Sequence, residues 1–389
     1  MATGESDLHD MIRDSVQDLA ADFPHEYWRG CVENHEFPRE YWDALADAGW
    51  LGVAIPEEYG GEGLGMLEMT IVIEELSRAG TMGGIVFVLT PVFGGIGIQR
   101  HGTEEQKAAY LPRIADGDVT FCMGLTEAAA GTNTLNIDTM AESVGDGEWE
   151  ITGQKMWISG VENADTMLLV SRTAEYDASD PTGGVTLFLV GDPADRDAID
   201  LTHVEVQLPW FEKQYQVDID GLRVTEDDVL GTVNGGLYLL WDTLNTERIA
   251  GAASALGGGF RAIDLAVEYA NERSVFGAPI GSHQAIQHPI AESYAKLTAA
   301  REVAYKAAKK WDEGEDCGAE ANAASLLTSE FGLEAADRAI QTHGGNGFTP
   351  EYQVFDLWRN LRLTKTAPVS NEMILNYLGE HELGLPRSY

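Results

Sequence analysis

Residues 241–287 read WDTLNTERIAGAASALGGGFRAIDLAVEYANERSVFGAPIGSHQAIQ, a long helix, a Gly/Pro break and a second helix. Near the start of the first helix sits an adjacent acid–base pair, Glu247-Arg248, and at its end Arg273-Ser274-Val275-Phe276-Gly277. Between them the helix is filled with Ala and Gly, including Gly251, Gly257, Gly258 and Gly259. Each helix-interior Gly costs about 0.5–1 kcal/mol relative to Ala. A helix that accepts this cost repeatedly is making room for something packed tightly against it.

Working outward, a chain of 389 residues is too long for one simple core, so two or three domains or layers are expected. The charge is strongly one-sided. With 64 acidic and 25 basic residues the formal net charge is −39, and the acids run throughout rather than forming a tail. A polyanion needs clustered Lys and Arg, so nucleic acid and an anionic membrane surface are excluded as partners. The balance suits a halophile-like surface in a salty cytosol, where ions screen the self-repulsion. Cys31, Cys122 and Cys317 are widely spaced, without a CxxC or a His at metal spacing, so neither a disulfide framework nor a metal site is expected. The acidic N-terminus lacks the apolar core of a signal peptide, and no uncharged apolar run reaches the ~18 residues of a membrane span. A soluble, cytoplasmic protein is expected.

In chain order, helical spacing marks 7–22, 39–48 and the run MLEMTIVIEELSRAG, with a Pro- and Gly-rich loop at WLGVAIPEEYGGEGLG. GIVFVLTPVFGGIGIQRHG is a buried helix or loop, and Thr103 with Gln106 forms a capping box before the next helix. Near Val119 the texture changes. TFCMGLTE, EWEITGQKMWIS, TMLLVSRT, GVTLFLVG, LTHVEVQL and YQVDIDGLRV are short β-rich runs between turn residues, as in an antiparallel barrel or sandwich. After Val233 helices return at 236–271, 282–312, 319–342 and 369–380. Helix, sheet, helix gives an α+β multidomain chain, with a helical domain at 1–120, a middle β-domain at 121–232 and a helical domain at 233–389.

No GxxxxGK[ST], strand-GxGxxG-helix, GxSxG or HExxH unit is present. Four blocks remain: Leu125-Thr126-Glu127 with Gly131-Thr132-Asn133; Gly153-Gln154-Lys155-Met156-Trp157-Ile158-Ser159; the stretch quoted first; and Gln341-Thr342-His343-Gly344-Gly345-Asn346-Gly347-Phe348 with Ser370-Asn371-Glu372. In this order and at these separations they resemble the acyl-CoA dehydrogenase family, whose members carry LTEPxxGSD, GxKxWIT, R-x-x-FG-x-x-I-x-x-x-Q and GGxGF. IPEEYGG and GTEEQKxxYLP match as well, so the resemblance spans essentially the whole chain.

The resemblance implies an N-terminal helical domain, a middle β-barrel or sandwich, and a C-terminal four-helix bundle, with FAD between the last two. Met123, Leu125, Thr126, Gly131, Thr132, Trp157 and Ser159 carry over as flavin contacts. A neutral flavin wants a flat apolar wall plus a few hydrogen-bonding groups, and Trp157 can stack on the ring. Arg273, Phe276 and Gln284 carry over as contacts to the FAD of a neighbouring subunit in a homotetramer or homodimer. Gln341, Gly345, Ser370 and Glu372 carry over as further cofactor contacts.

The family reaction removes a proton from the α-carbon of an acyl-CoA and a hydride from the β-carbon, and electrons leave through an electron-transfer flavoprotein. A carboxylate base and a polarised thioester carbonyl are needed. Many members place the base just before the terminal GT-x-[EQ], where this chain has Pro368. A second subset places it immediately before an Arg on the first long C-terminal helix, which singles out Glu247. Arg248 then orients the base or the substrate, and Asn245 and Thr132 are candidates for substrate contact. Proline has no N–H, so a backbone donor at that position is lost. Two alternatives stand beside the dehydrogenase reading: a 2-enoyl-CoA reductase running the reverse chemistry, and a non-catalytic flavin or acyl-CoA binding subunit.

Overall fold

The computed structural model describes residues 2–80 and 86–388. Among the described residues, eleven α-helices and ten strands follow in chain order. The helices α1 (Ala2–Ala21), α2 (His25–Asn34), α3 (Arg39–Asp47), α4 (Met66–Arg78), α5 (Gly97–His101) and α6 (Glu104–Ala115) precede the sheet. Then come β1 (Phe121–Gly124), β2 (Met140–Gly145), β3 (Glu148–Ser159), β4 (Thr166–Arg172), β5 (Val185–Gly191), β6 (Ile199–Val204), β7 (Gln214–Thr225) and β8 (Val229–Leu230). The chain closes with α7 (Gly236–Glu272), the hairpin β9 (Ser274–Val275) and β10 (Ala278–Pro279), α8 (Gln284–Asp312), α9 (Gly318–His343), α10 (Val354–Leu363) and α11 (Asn371–Tyr377). The architecture is that of helices, then a sheet, then long helices. The run beginning at Gly84 is helical from Val86 and winds as a π-helix from Val88 to Ile96, whereas its Gly84 and Ile85 lie outside the described residues.

Two compact units emerge. The sheet unit comprises Cys31–Leu64 and Val86–Leu244. Its strands run in the order β6-β7-β3-β2-β4-β5-β8, with β1 beside β4. The long pairs β3–β7 and β4–β5 are antiparallel, as hairpin-rich segments allow. The expectation of an antiparallel sheet needs correcting at β4, which pairs in parallel with β2 through Met140 and Arg172. β1 also pairs β4 in parallel, over Phe121–Gly124, and the connection is long enough for a parallel return because β2 and β3 lie between them in the chain. Alternate residues of β4 and β5 enter different cores. Leu168, Val170, Leu187 and Leu189 join one cluster and Met167, Leu169, Phe188 and Val190 the other. A sheet covered on both faces explains why TMLLV and VTLFLV are continuous apolar runs rather than alternating ones. The capping box also forms. Thr103 Oγ1 accepts from Gln106 N at 3.2 Å and Gln106 Oε1 from Thr103 N at 3.1 Å.

The helical unit comprises Met1–Gly30, Gly65–Ile85 and Asn245–Tyr389. The glycines of α7 mark close approaches on two sides. A methyl on Gly257 would lie 2.1 Å from the Glu74 carbonyl of α4, and one on Gly259 would lie 2.9 Å from Leu297 of α8 and 3.0 Å from Gly332 Cα of α9. The buried charges of α4 are paired: Arg13 and Gln17 meet Glu75, and Arg301 and Tyr305 meet Glu74. Asp312, at the end of α8, caps α4 by accepting from Met66 N at 2.7 Å and Leu67 N at 3.0 Å.

Candidate active site

In the sheet unit, one irregularity organises the candidates. Along β3 the partner of Lys155 is Val217 but that of Ile158 is Tyr215, so one extra residue is inserted between them. The resulting bulge puts Trp157 at φ +63°, a left-handed conformation that a bulky residue adopts at a cost. Its indole is 53% exposed. Met156 N, displaced from the ladder, donates instead to Thr126 O at 2.8 Å. The bulge therefore couples the Trp157 segment to the Leu125-Thr126 segment. Met123, Leu125 and Thr126 are part-buried, and Gly131 and Thr132 lie on an exposed loop. The Ser159 hydroxyl pairs with the Gln214 side chain at 2.8–3.1 Å.

Two residues in the quoted blocks were given no role by sequence reasoning, yet they anchor this region. Lys155 is wholly buried and donates to Glu127 Oε1 at 2.7 Å and to Leu125 O at 3.1 Å. Burial pulls the Lys155 ammonium down to about 8, against the opposing pull of Glu127. Burial works against the Glu127 charge too, but Lys155 and the Asp138 N–H hold its carboxyl below the usual range. The available signal was a Lys in a strand sharing parity with buried Ile151, an inward position that demands a partner.

In the helical unit, α7 presents Asn245, Glu247 and Arg248. Glu247 is part-buried, and none of the described residues hydrogen-bonds its carboxylate. Burial pushes its carboxyl up to about 7, with Arg248 pulling the other way. Arg248 Nη1 reaches Asn245 Oδ1 at 3.4 Å, while its buried Nε has no partner among the described residues. One turn after Glu247, a methyl on Gly251 would lie 4.0 Å from Pro368 Cδ. Residues four apart share a helix face, so the Glu247 face of α7 is the one that Pro368 approaches. The segment carrying Pro368 is held at its end by Asn371, which bridges Glu330 at 2.9 Å and Ser329 at 3.1 Å.

The remaining candidates occupy two surfaces of this unit. Arg273, Phe276 and Gln284 are all exposed, on and beside the β9–β10 hairpin. Its two-residue turn has Phe276 at φ +53° and Gly277 at φ +83°, and Phe276 is 99% exposed. Gln341 and Gly345 are exposed at the end of α9. Tyr269, one turn before Arg273, stacks on His343 at 4.3 Å and accepts from Asn346 Nδ2 at 3.0 Å. That ties the Gly344–Phe348 turn to the end of α7. Ser370 has a job in the fold: it is the N-cap of α11, accepting from Met373 N at 3.4 Å, with exposed Glu372 in the first turn. A cavity in the sheet unit lined by Phe37, Trp42, Phe121 and Glu212 contains none of the candidates.

Three sequence profiles match the chain: the N-terminal domain of acyl-CoA dehydrogenases at residues 6–118, the middle domain at 122–207 and the C-terminal domain at 234–383. The chain belongs to the acyl-CoA dehydrogenase family. Among its relatives, acyl-CoA dehydrogenase FadE12 of Mycobacterium tuberculosis is 39% identical over 99% of this chain and 98% of its own. A 3-(aryl)acrylate reductase of Clostridium sporogenes is 32% identical, covering 92% of this chain and 94% of the relative. The solved butyryl-CoA dehydrogenase of Megasphaera elsdenii superposes with a TM-score of 0.88 at 28% identity, covering 96% and 98% of the two chains.

Acyl-CoA dehydrogenases are FAD-dependent oxidoreductases acting on CH–CH groups, and this chain is one of them. The residues present fit FAD. Trp157 offers a flat, accessible aromatic face, and Arg273 an exposed guanidinium. A methyl on Gly344 or Gly345 would meet nothing within 4 Å, leaving room for a cofactor to approach that backbone.

Proposed function

We propose that this family member dehydrogenates an acyl-CoA thioester between Cα and Cβ to the 2-enoyl-CoA, with Glu247 as base, and that its electrons leave through an electron-transfer flavoprotein. The observation that carries the proposal is the placement of Glu247 on the α7 face that Pro368 approaches. The position where many relatives hold a carboxylate is apolar here, and a carboxyl free of hydrogen bonds from described residues stands one turn from the contact. Glu247 takes the Cα proton as the Cα–Cβ double bond forms. Bound FAD supplies the acceptor for the hydride leaving Cβ. Arg248, with its unpartnered Nε, orients Glu247 or the substrate, and Asn245 steadies the guanidinium. Pro368 offers no N–H to the thioester carbonyl, so polarisation of that oxygen falls to other donors.

The three-domain division at 1–120, 121–232 and 233–389 belongs to the same reading, as does a homotetramer or homodimer. The assembly is supported by Phe276, an apolar side chain fully in solvent on a backbone that also costs conformational energy. A second reading, a 2-enoyl-CoA reductase, is favoured by the likeness to the 3-(aryl)acrylate reductase.

Anaerobic titration of the holoprotein with acyl-CoAs from short to long chain tests the proposal. Flavin bleaching by at least one of them is expected, and Glu247→Gln should keep its FAD yet lose the bleaching. Unchanged bleaching in that variant would sink the assignment of the base. Reduction of an enoyl-CoA by an added electron donor, without bleaching by any acyl-CoA, selects the reductase.

A further inference from the structure

Behind the flavin-facing candidates of the sheet unit lie three charged side chains that solvent barely reaches. Lys155, Glu127 and Arg172 are 0, 7 and 2% exposed. Glu127 closes a loop on itself: Oε2 accepts from Asp138 N at 2.6 Å, and Oε1 from Thr139 N at 3.0 Å and Lys155 Nζ at 2.7 Å. Lys155 also holds the Leu125 carbonyl at the loop's start. Arg172 holds its far end, donating to Leu135 O at 2.7 Å and Ile137 O at 3.1 Å, while its own N–H donates to Thr139 O at 2.8 Å. The loop pinned in this way, residues 125–139, carries Leu125, Thr126, Gly131 and Thr132. Lys155 is also the last residue before the bulge that turns out Trp157.

For stability alone this is a poor choice. Desolvating two cations and an anion is costly, and apolar side chains of similar volume often serve a core as well or better. What charged groups give, and apolar ones do not, is direction. Each fixes named carbonyls and N–H groups of a loop that has no regular ladder of its own. We propose that Lys155, Glu127 and Arg172 are positioning residues for the flavin, setting the conformation of the 125–139 loop and the bulge at Trp157 from behind. The proposal rests on the FAD site described above.

The test compares fold stability with cofactor binding in the full-length protein. Thermal midpoints of the apoprotein, FAD dissociation constants from flavin fluorescence and the visible circular dichroism of bound flavin are measured for wild type and variants. Lys155→Met leaves Glu127 buried without its cation and should lower the midpoint and weaken FAD together. Lys155→Met/Glu127→Leu removes both charges. It should recover part of the midpoint that Lys155→Met loses, short of wild type because the buried Thr139 N–H loses its acceptor. Yet it should bind FAD roughly ten- to a hundredfold more weakly than wild type, the scale of loss seen when the outer partners of metal ligands are removed. The dichroism of its bound flavin should differ from wild type. If the double variant regains wild-type affinity and dichroism along with that part of the midpoint, the cluster only holds the fold and the proposal falls. Should the double variant not fold, Glu127→Gln keeps the shape and an acceptor. An altered dichroism with weaker FAD is expected of it, and wild-type values in both would overturn the proposal. A wild-type chain that takes up no FAD would overturn the cofactor site itself, and the proposal with it, before any variant is made.

Discussion

Glu247 is poised between two opposing influences. Burial raises its carboxyl to about 7, and the Arg248 guanidinium resists the rise. A base must be ionised, so kcat/KM is expected to climb with pH up to about 7 and level off above it. In Arg248→Gln, burial acts unopposed and the limb should move to higher pH. A limb that stays in place would mean that another group titrates. Stability carries the opposite sign. Between the usual 4.5 and about 7 the folded chain keeps a proton on Glu247 that the unfolded chain has released, so stability falls as pH rises across that window. Glu247 is singled out in the sequence as the proposed base because Pro368 occupies the rival position. The Lys155–Glu127 pair was not legible there, because its partners lie 28 residues apart and meet only once β3 and the loop are folded. Nor was the capping role of Ser370, which depends on where α11 begins.

The element that decided the fold from sequence, α7, is where the close approaches can be tested. At Gly257 a methyl would run into the α4 backbone at Glu74 O, which cannot swing aside. Gly257→Ala should therefore cost about 2 kcal/mol or more, despite its better helix propensity. At Gly258 the nearest atom to a new methyl is Leu361 Cδ2 at 3.5 Å, an ordinary contact. Gly258→Ala should be neutral or gain up to about 1 kcal/mol. Denaturant midpoints of the two variants check the contrast, and equal losses would mean that propensity, not packing, explains the glycines. Other elements were legible to different degrees. β3 was readable end to end, because its twelve residues carry strong β-formers between turn signals. β2 was not: of MAESVG only Ala141 is buried and Met140 half-buried, so the run lacks an apolar pattern and becomes a strand by pairing with β3. α2 was missed similarly, since its HEYWRGCVEN mixes aromatic and polar residues without a long apolar stripe.

Across the whole molecule, charge outweighs any single contact. Even if every one of the 25 basic residues paired, 39 acidic residues would remain uncompensated. Their mutual repulsion favours expansion, and it acts through the solvent, where salt shortens its reach from about 10 Å at 0.1 M to about 3 Å at 1 M. The thermal midpoint should therefore rise with KCl over that range and flatten once the screening length falls below the spacing between surface acids. Sucrose, which stabilises by exclusion without screening, should not reproduce the early, steep part of the curve. The same field opposes the approach of the proposed substrate, whose CoA phosphates are anionic. Raising salt should then lower KM for an acyl-CoA, opposite to the salt response of an enzyme that steers an anion with a basic surface. The two responses share one cause, so they should share one salt range. A midpoint that rises with KCl while KM rises too would show that cations local to the site, Arg248 or Arg273 among them, dominate capture of the substrate over the net charge of the chain.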